Sequence, residues 1–293
     1  MTSTVDTDRV ARWAGRAAAP GPKVERAGLL RLVSGLHAAA EQAFPVARAA
    51  GAFGDALPAD VARPAVLVVD RPGWARVAAG SLSALMAGPE EGDEPGRGSG
   101  LRGWPATAQI AGLISVLSTR VLGQFDPYGS DDEGGRLALV APNILQIGTA
   151  MGAEPADFRL WICVHEQTHA LQFAAAPWLA GHLAGELAAL QSDLDEANEL
   201  VALKDAVLAR RRRGAAPAPD LGLGPLGSLL PAEQQLRAAH LVATMSLLEG
   251  HADVTMDEIP PGLVPSRRRL REKMSARRRS EERRVGKECG YQC

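Results

Sequence analysis

His165, Glu166 and His169 lie within the run Trp-Ile-Cys-Val-His-Glu-Gln-Thr-His-Ala-Leu-Gln-Phe (161–173), and their types and spacing suit one kind of chemistry. On a helix, positions i and i+4 fall on one face one turn apart, so the two imidazoles can offer nitrogens to a single tetrahedral ion. Glu166, next to the first imidazole, is then placed to take a proton from a metal-bound water. The ordinary alternative is a solvated helix turn that happens to carry two of the chain's 6 histidines. Trp161, Ile162, Val164, Leu171 and Phe173 surround the polar group on nearly every side, and a buried His-Glu-His cluster without a compensating partner is costly. The reading is a metal site, with Zn²⁺ as the ion.

A zinc site of this kind needs a third protein ligand and an open fourth position. Downstream, Met-Ser-Leu-Leu-Glu-Gly-His-Ala-Asp-Val-Thr-Met-Asp-Glu-Ile (245–259) sets Glu249 and Asp253 at i and i+4 on an expected helix. Glu249 is the candidate carboxylate ligand. The alternative is an exposed helical glutamate, against which stand its apolar neighbours Leu247, Leu248, Ala252 and Val254. Asp253, one turn on, is the candidate acceptor for the outer ring N–H of a ligand histidine, which fixes its tautomer. His251 is the rival third ligand. It lies about 200° round the helix from Glu249, so the two cannot both reach one ion. It is also a candidate oxyanion donor, with a surface position on the helix's far side as the alternative. Cys163 sits about 200° from His165 on the same helix and reads as a core residue.

Helices must position these groups, and helical periodicity dominates the chain. Residues 24–48 carry an apolar face through Leu29, Leu30, Leu32, Val33, Leu36 and Ala40. Residues 65–69 read as a buried strand, 74–87 and 105–123 as helices, and 88–100 as a charged, glycine-rich mobile loop. Residues 137–141 read as a strand stopped by Pro142. The motif helix is expected to start near residues 155–157, capped by Asp157, and to end before Pro177. A long amphipathic helix over 182–213 carries Leu183, Leu187, Leu190, Leu194 and Val201. Its last four residues are arginines at the negative pole of the helix dipole, read as a solvated helix end rather than an RNA or membrane contact. Residues 214–230 read as a linker whose flexibility suits a lid, and the helix bearing Glu249 begins near residues 231–232.

Composition bounds the rest. With 293 residues and 46% hydrophobic content, the chain can bury a sizeable core. A net charge of −2 gives no basic field for nucleic acid. No apolar stretch reaches the ~20 residues a membrane span needs. The first residues lack a signal peptide's basic and apolar regions, which places the chain in the cytoplasm. Cys163, Cys289 and Cys293 form no paired framework of the secreted kind.

Five stretches carry a family resemblance: Val-Val-Asp-Arg-Pro-Gly-Trp (68–74), Gly-Gln-Phe-Asp-Pro-Tyr (123–128), Leu-Ala-Leu-Val-Ala-Pro-Asn-Ile (137–144), HEQTHALQFAAAPWL (165–179) and Leu-Leu-Glu-Gly-His-Ala-Asp (247–253). Over residues 25–278 the chain resembles a family of actinobacterial and chloroflexal zincin-like hydrolases. These are described as zinc-dependent metalloproteases or as proteins associated with deazaflavin coenzyme biosynthesis. HExxH with a later ExxxD resembles the gluzincin branch of zinc peptidases. The resemblance implies a mainly α (α+β) zincin-like fold, with many helices and a small sheet beside the HExxH helix. It also implies zinc at His165, His169 and Glu249, with Glu166 as catalytic acid/base and a peptide or amide as substrate. Residues 137–141 would be the edge strand along the cleft, with an ordinary internal strand as the alternative. The competing reading is a non-catalytic zinc-binding protein associated with deazaflavin coenzyme metabolism.

Residues 279–293 do not fit this frame, since the first eleven match a translated sequencing adapter. Residues 1–278 are therefore expected to form one hydrolase domain, cut short before the further apolar segments of the resembled family. Arg271 and its basic neighbours would belong to a true helix leading into the missing part.

Overall fold

The computed structural model describes residues 5–87, 104–129, 134–196 and 232–277. The 88–100 loop, the arginine run at 210–213, the 214–230 linker and the 279–293 tail lie outside the described residues. Three strands, β1 (Ala65–Val69), β2 (Gly123–Asp126) and β3 (Arg136–Val140), form one sheet in the order β1-β3-β2. β3 runs parallel to β1 and antiparallel to β2. The helices are α1 (Thr7–Ala17), α2 (Arg26–Ala50), α3 (Arg71–Ala87), α4 (Trp104–Leu117), α5 (Ala141–Ala150), α6 (Pro155–Ala175), α7 (Trp178–Glu196) and α8 (Ala232–Asp257), followed by α9 (267–277). This is the mainly helical, small-sheet architecture expected. None of the described helices is long and apolar enough to cross a membrane.

The central strand explains the layering. Leu137, Ala138, Leu139 and Val140 are all buried, because successive side chains point to opposite faces and both faces are covered. Leu137 and Leu139 enter a core built with α2, α5 and α6, closed by Met256, Ile259, Val264 and Leu270. Ala138 and Val140 enter a second core with Val10, Ala14, Trp74, Val77, Ala111 and Ile114 from α1, α3 and α4. The sheet is thus the middle layer of a three-layer stack.

α6 is buried on nearly every side, from Phe158 through Gln172, with apolar residues on both sides of its polar His-Glu-Gln-Thr-His run. Its main packing partner, α2, presents the small residues Ala39, Ala40, Ala43 and Ala47, which let the two axes approach closely. Glu154, rather than Asp157, caps α6: its Oε2 accepts from the Asp157 N–H at 2.8 Å. The Asp157 carboxylate instead accepts from the Ser266 N–H, also at 2.8 Å, and so anchors the chain entering α9.

The edge-strand expectation and one helix boundary need correction. Residues 137–141 form the internal strand of the two readings, since β3 lies between β1 and β2, and the edge strand beside α6 is Gly123–Asp126. The expected 105–123 helix stops at Leu117, and its last residue opens that edge strand. β2 is short and begins with glycine, so no alternating pattern marks it. β3 does stop just before Pro142, and α5 follows it directly. Pro142 sits in the first turn of α5, where its missing N–H costs nothing.

Where β1 and β3 hand over to α3 and α5, a buried polar cluster ties the layers together. Arg71 is 5% exposed. Its Nε donates to Asn143 Oδ1 at 2.8 Å, Nη1 to the Ala19 and Pro20 carbonyls, and Nη2 to Gln146 Oε1. Asn143 Nδ2 donates to the carbonyls of Ser118 and Val121 at 2.8 and 2.6 Å, fixing the turn that leads into β2. Asn143→Leu keeps the size but orphans one donor and two acceptors. The expected cost is about 3 kcal/mol of unfolding free energy, read from urea denaturation, since an unmet buried polar group costs ~1–3 kcal/mol. A loss below 0.5 kcal/mol, about the level of a neutral surface change, would refute this account of the cluster.

Candidate metal centre

α6 and α8 bring together the two halves that the sequence separates. His165 Nε2 and His169 Nε2 face each other at 3.2 Å. One oxygen of Glu249 lies 3.6 Å from His165 Nε2 and the other 3.4 Å from His169 Nε2. Tetrahedral bonds of ~2.0–2.1 Å set ligand atoms roughly 3.3–3.4 Å apart, so the three side chains are close enough to share one metal ion, with either carboxylate oxygen as the third donor. Two bare imidazole nitrogens at this range repel unless a cation or a proton lies between them. The donor set therefore fits the ion that the sequence reading names. Among the described residues, His165, His169 and Glu249 are the group of ligating side chains that converges in this way.

Glu166 stands beside this triangle, 6% exposed, against the edge strand. Gly123 makes that approach feasible: a Cβ there would lie 2.7 Å from Glu166 Cγ and 2.8 Å from Oε1. The backbone N–H of Phe125 donates to the carboxylate. Burial raises the Glu166 pKa to about 7, with His169 lowering it and Glu249 adding to the rise. Burial alone would depress His169, yet its hydrogen bond to Glu249, the charge of Glu166 and its contact with Gln172 outweigh that and raise it to about 9 in the metal-free protein. Burial pushes the Cys163 thiol up, so this residue is an inert part of the core, as expected.

The outer ring nitrogens show which neighbours orient the imidazoles. His169 Nδ1 lies 2.9 Å from Gln172 Oε1, and His165 Nδ1 lies 3.1 Å from the Met256 sulfur. Asp253, the carboxylate expected in this role, is held by Arg271 Nη1 of α9 at 2.6 Å, while Nη2 reaches Asp257 at 3.0 Å. His251 points behind the site. Its Nε2 donates to the Gly51 carbonyl at 2.7 Å, and its Nδ1 lies 2.9 Å from Gln172 Nε2. Both nitrogens are thus engaged, so in this arrangement it is neither a ligand nor an oxyanion donor. The helical offset from Glu249 turns it towards the end of α2, not to solvent.

Gln172 was missed in the sequence, although its i+3 offset from His169 puts it on the same helix face. Gly51 and Gly123 carry no local signal, because their roles come from chain segments distant in sequence. A cavity of about 400 Å³ opens onto the donors, with Phe125, Tyr128, Phe173, Leu183, Leu187, Met245 and Leu248 among its walls. A larger one of about 640 Å³ lies at the carboxyl ends of β1 and β3, remote from the donor triangle.

Because His169 holds a proton up to about pH 9, an incoming ion must displace it. Calorimetric zinc titrations at pH 8 in buffers of different ionisation enthalpy should show release of at least about one proton per ion, falling away above pH 9. Zinc uptake at pH 8 with no proton release would contradict this electrostatic picture.

Comparison with known proteins agrees with the geometry. A crystal structure of a putative hydrolase with a novel fold from Chloroflexus aurantiacus is similar over 94% of this chain and 76% of its own, with 25% identity and a TM-score of 0.59. No curated protein is similar to the chain. The family model of zincin-like metallopeptidases matches residues 5–285, and the chain belongs to that family.

Proposed function

We propose that this protein is a zinc-dependent hydrolase of peptide or amide bonds whose substrates carry a bulky apolar group beside the scissile bond. One observation carries the reading: three side chains close enough to share one metal ion meet a carboxyl group whose pKa lies near 7, at the mouth of an apolar cavity. His165, His169 and Glu249 would hold the ion, which supplies a water of lowered pKa and a Lewis acid for the substrate carbonyl.

The chain's own residues do the remaining work. Glu166, aimed by the Phe125 N–H and pressed on Gly123, takes the proton from the attacking water and delivers it to the leaving amine. Proton transfer is most effective when the catalytic pKa is near the working pH, and in the metal-free protein burial raises this carboxyl to about 7. β2, as the edge strand along the cavity, offers a backbone rail to extended substrate. Phe125 and Phe173 pack 5.5 Å apart, and together with Leu183, Leu187 and Met245 they favour an apolar side chain.

Glu166→Gln is expected to keep stoichiometric zinc by elemental analysis and to lose about 10²–10⁴-fold in hydrolysis of a peptide library. Cleavage by the parent protein should cluster beside Leu, Phe or Met. Zinc-loaded protein that leaves the library intact, or a variant as active as its parent, would reject the proposal.

A further inference from the structure

We infer that Gln172 and His251 are positioning residues, forming a relay between two backbone carbonyls that commits His169 to presenting its Nε2 lone pair to the metal. This rests on the metal-site reading above and adds to it the question of how that site is aimed.

The proton arrangement follows from chemistry at both ends. Gln172 Nε2 lies 2.8 Å from the Leu248 carbonyl, which can only accept, so the amide nitrogen must face it. Gln172 Oε1 then faces His169 Nδ1 at 2.9 Å, and that nitrogen must carry hydrogen. In a neutral imidazole this leaves Nε2 bare, on the side where His165 and Glu249 wait. At the other end, His251 Nε2 lies 2.7 Å from the Gly51 carbonyl and must donate. His251 Nδ1 is then bare and accepts the second amide hydrogen of Gln172 at 2.9 Å. Flipping the amide sets oxygen against the Leu248 carbonyl, and protonating His251 sets N–H against N–H. A single arrangement satisfies every donor and acceptor.

The relay is also mechanically anchored. Gln172 is 7% exposed, so water does not compete freely for its amide. The His251 ring meets Phe53 edge-on, with centroids 5.0 Å apart. Gly51 permits this corner, since a Cβ there would lie 2.3 Å from the Phe53 ring. The imidazole of His169 is therefore held through α6, α8 and the end of α2 together.

The test compares the full chain with Gln172→Met, His251→Phe and the double variant, using zinc itself as the probe in chelator competition. Gln172→Met should weaken zinc about 10–100-fold, the usual effect of removing a hydrogen-bond partner behind a ligand histidine. His251→Phe should weaken it less. The double variant should be no weaker than Gln172→Met alone, because His251 acts only through Gln172. Nitrogen-15 spectra of the zinc-loaded parent should show a slowly exchanging proton on His169 Nδ1 and one on His251 Nε2. The His169 signal should broaden away in Gln172→Met, an effect that mere knitting of helices does not produce. A parent that takes up no zinc sinks the metal reading itself. A zinc-loaded parent with His169 protonated on Nε2 overturns the relay alone, and so does a folded Gln172→Met of parental affinity or a fully additive double variant. The parent spectra need no variant, so a misfolded substitution leaves that arm standing.

Discussion

Two imidazole nitrogens facing each other at 3.2 Å, with a carboxylate closing the triangle, are the constraint on which the rest depends. Such a group is stable only around a positive charge. A proton on His169 answers that need in the metal-free protein, and a divalent ion answers it better. Holding the triangle open for an ion requires that none of its members relax into solvent. α6 is therefore wrapped by α2, β2 and α8, and α8 is fastened in turn by Arg271 from α9. The burial of α6 looks like ordinary core packing, yet it also sets the electrostatics of Glu166.

The fold keeps its two buried polar clusters apart and uses them differently. Around Arg71 and Asn143 the donors named meet neutral acceptors, and the cluster welds the sheet's carboxyl end to four neighbouring segments. Around His169 the polar atoms instead turn its Nε2 towards His165 and Glu249, where a proton or a cation must balance them. The first arrangement is saturated and serves stability. The second is saturated everywhere except at the point of chemistry.

What the sequence made legible was whatever short-range periodicity encodes. His165, Glu166 and His169 share a helix turn, and Glu249 announces itself by an apolar setting one turn from Asp253. Both helices were therefore visible, as was the buried run of β3. The order of the strands was not, because β2 has four residues and opens on glycine, and its edge position follows from pairing with a strand that comes later. The surroundings of Asp253 were hidden for a related reason. It has the right chemistry and spacing on its own helix, and the ion pair with Arg271 is made with a neighbour only in the folded state. Gln172 lies three residues from His169, so its part was readable in principle. That of His251 was not, since it depends on a carbonyl at the end of α2.

Gly123 has an evolutionary corollary. Every possible replacement adds a Cβ where the Glu166 side chain already stands, so this one position cannot change without moving that carboxylate. No such constraint falls on Leu183, Leu187 and Met245, which line the cavity from α7 and α8 and already carry side chains. Diversification of what the cavity admits is thus channelled onto α7 and α8. Gly123 stays a fixed point opposite a side that can vary.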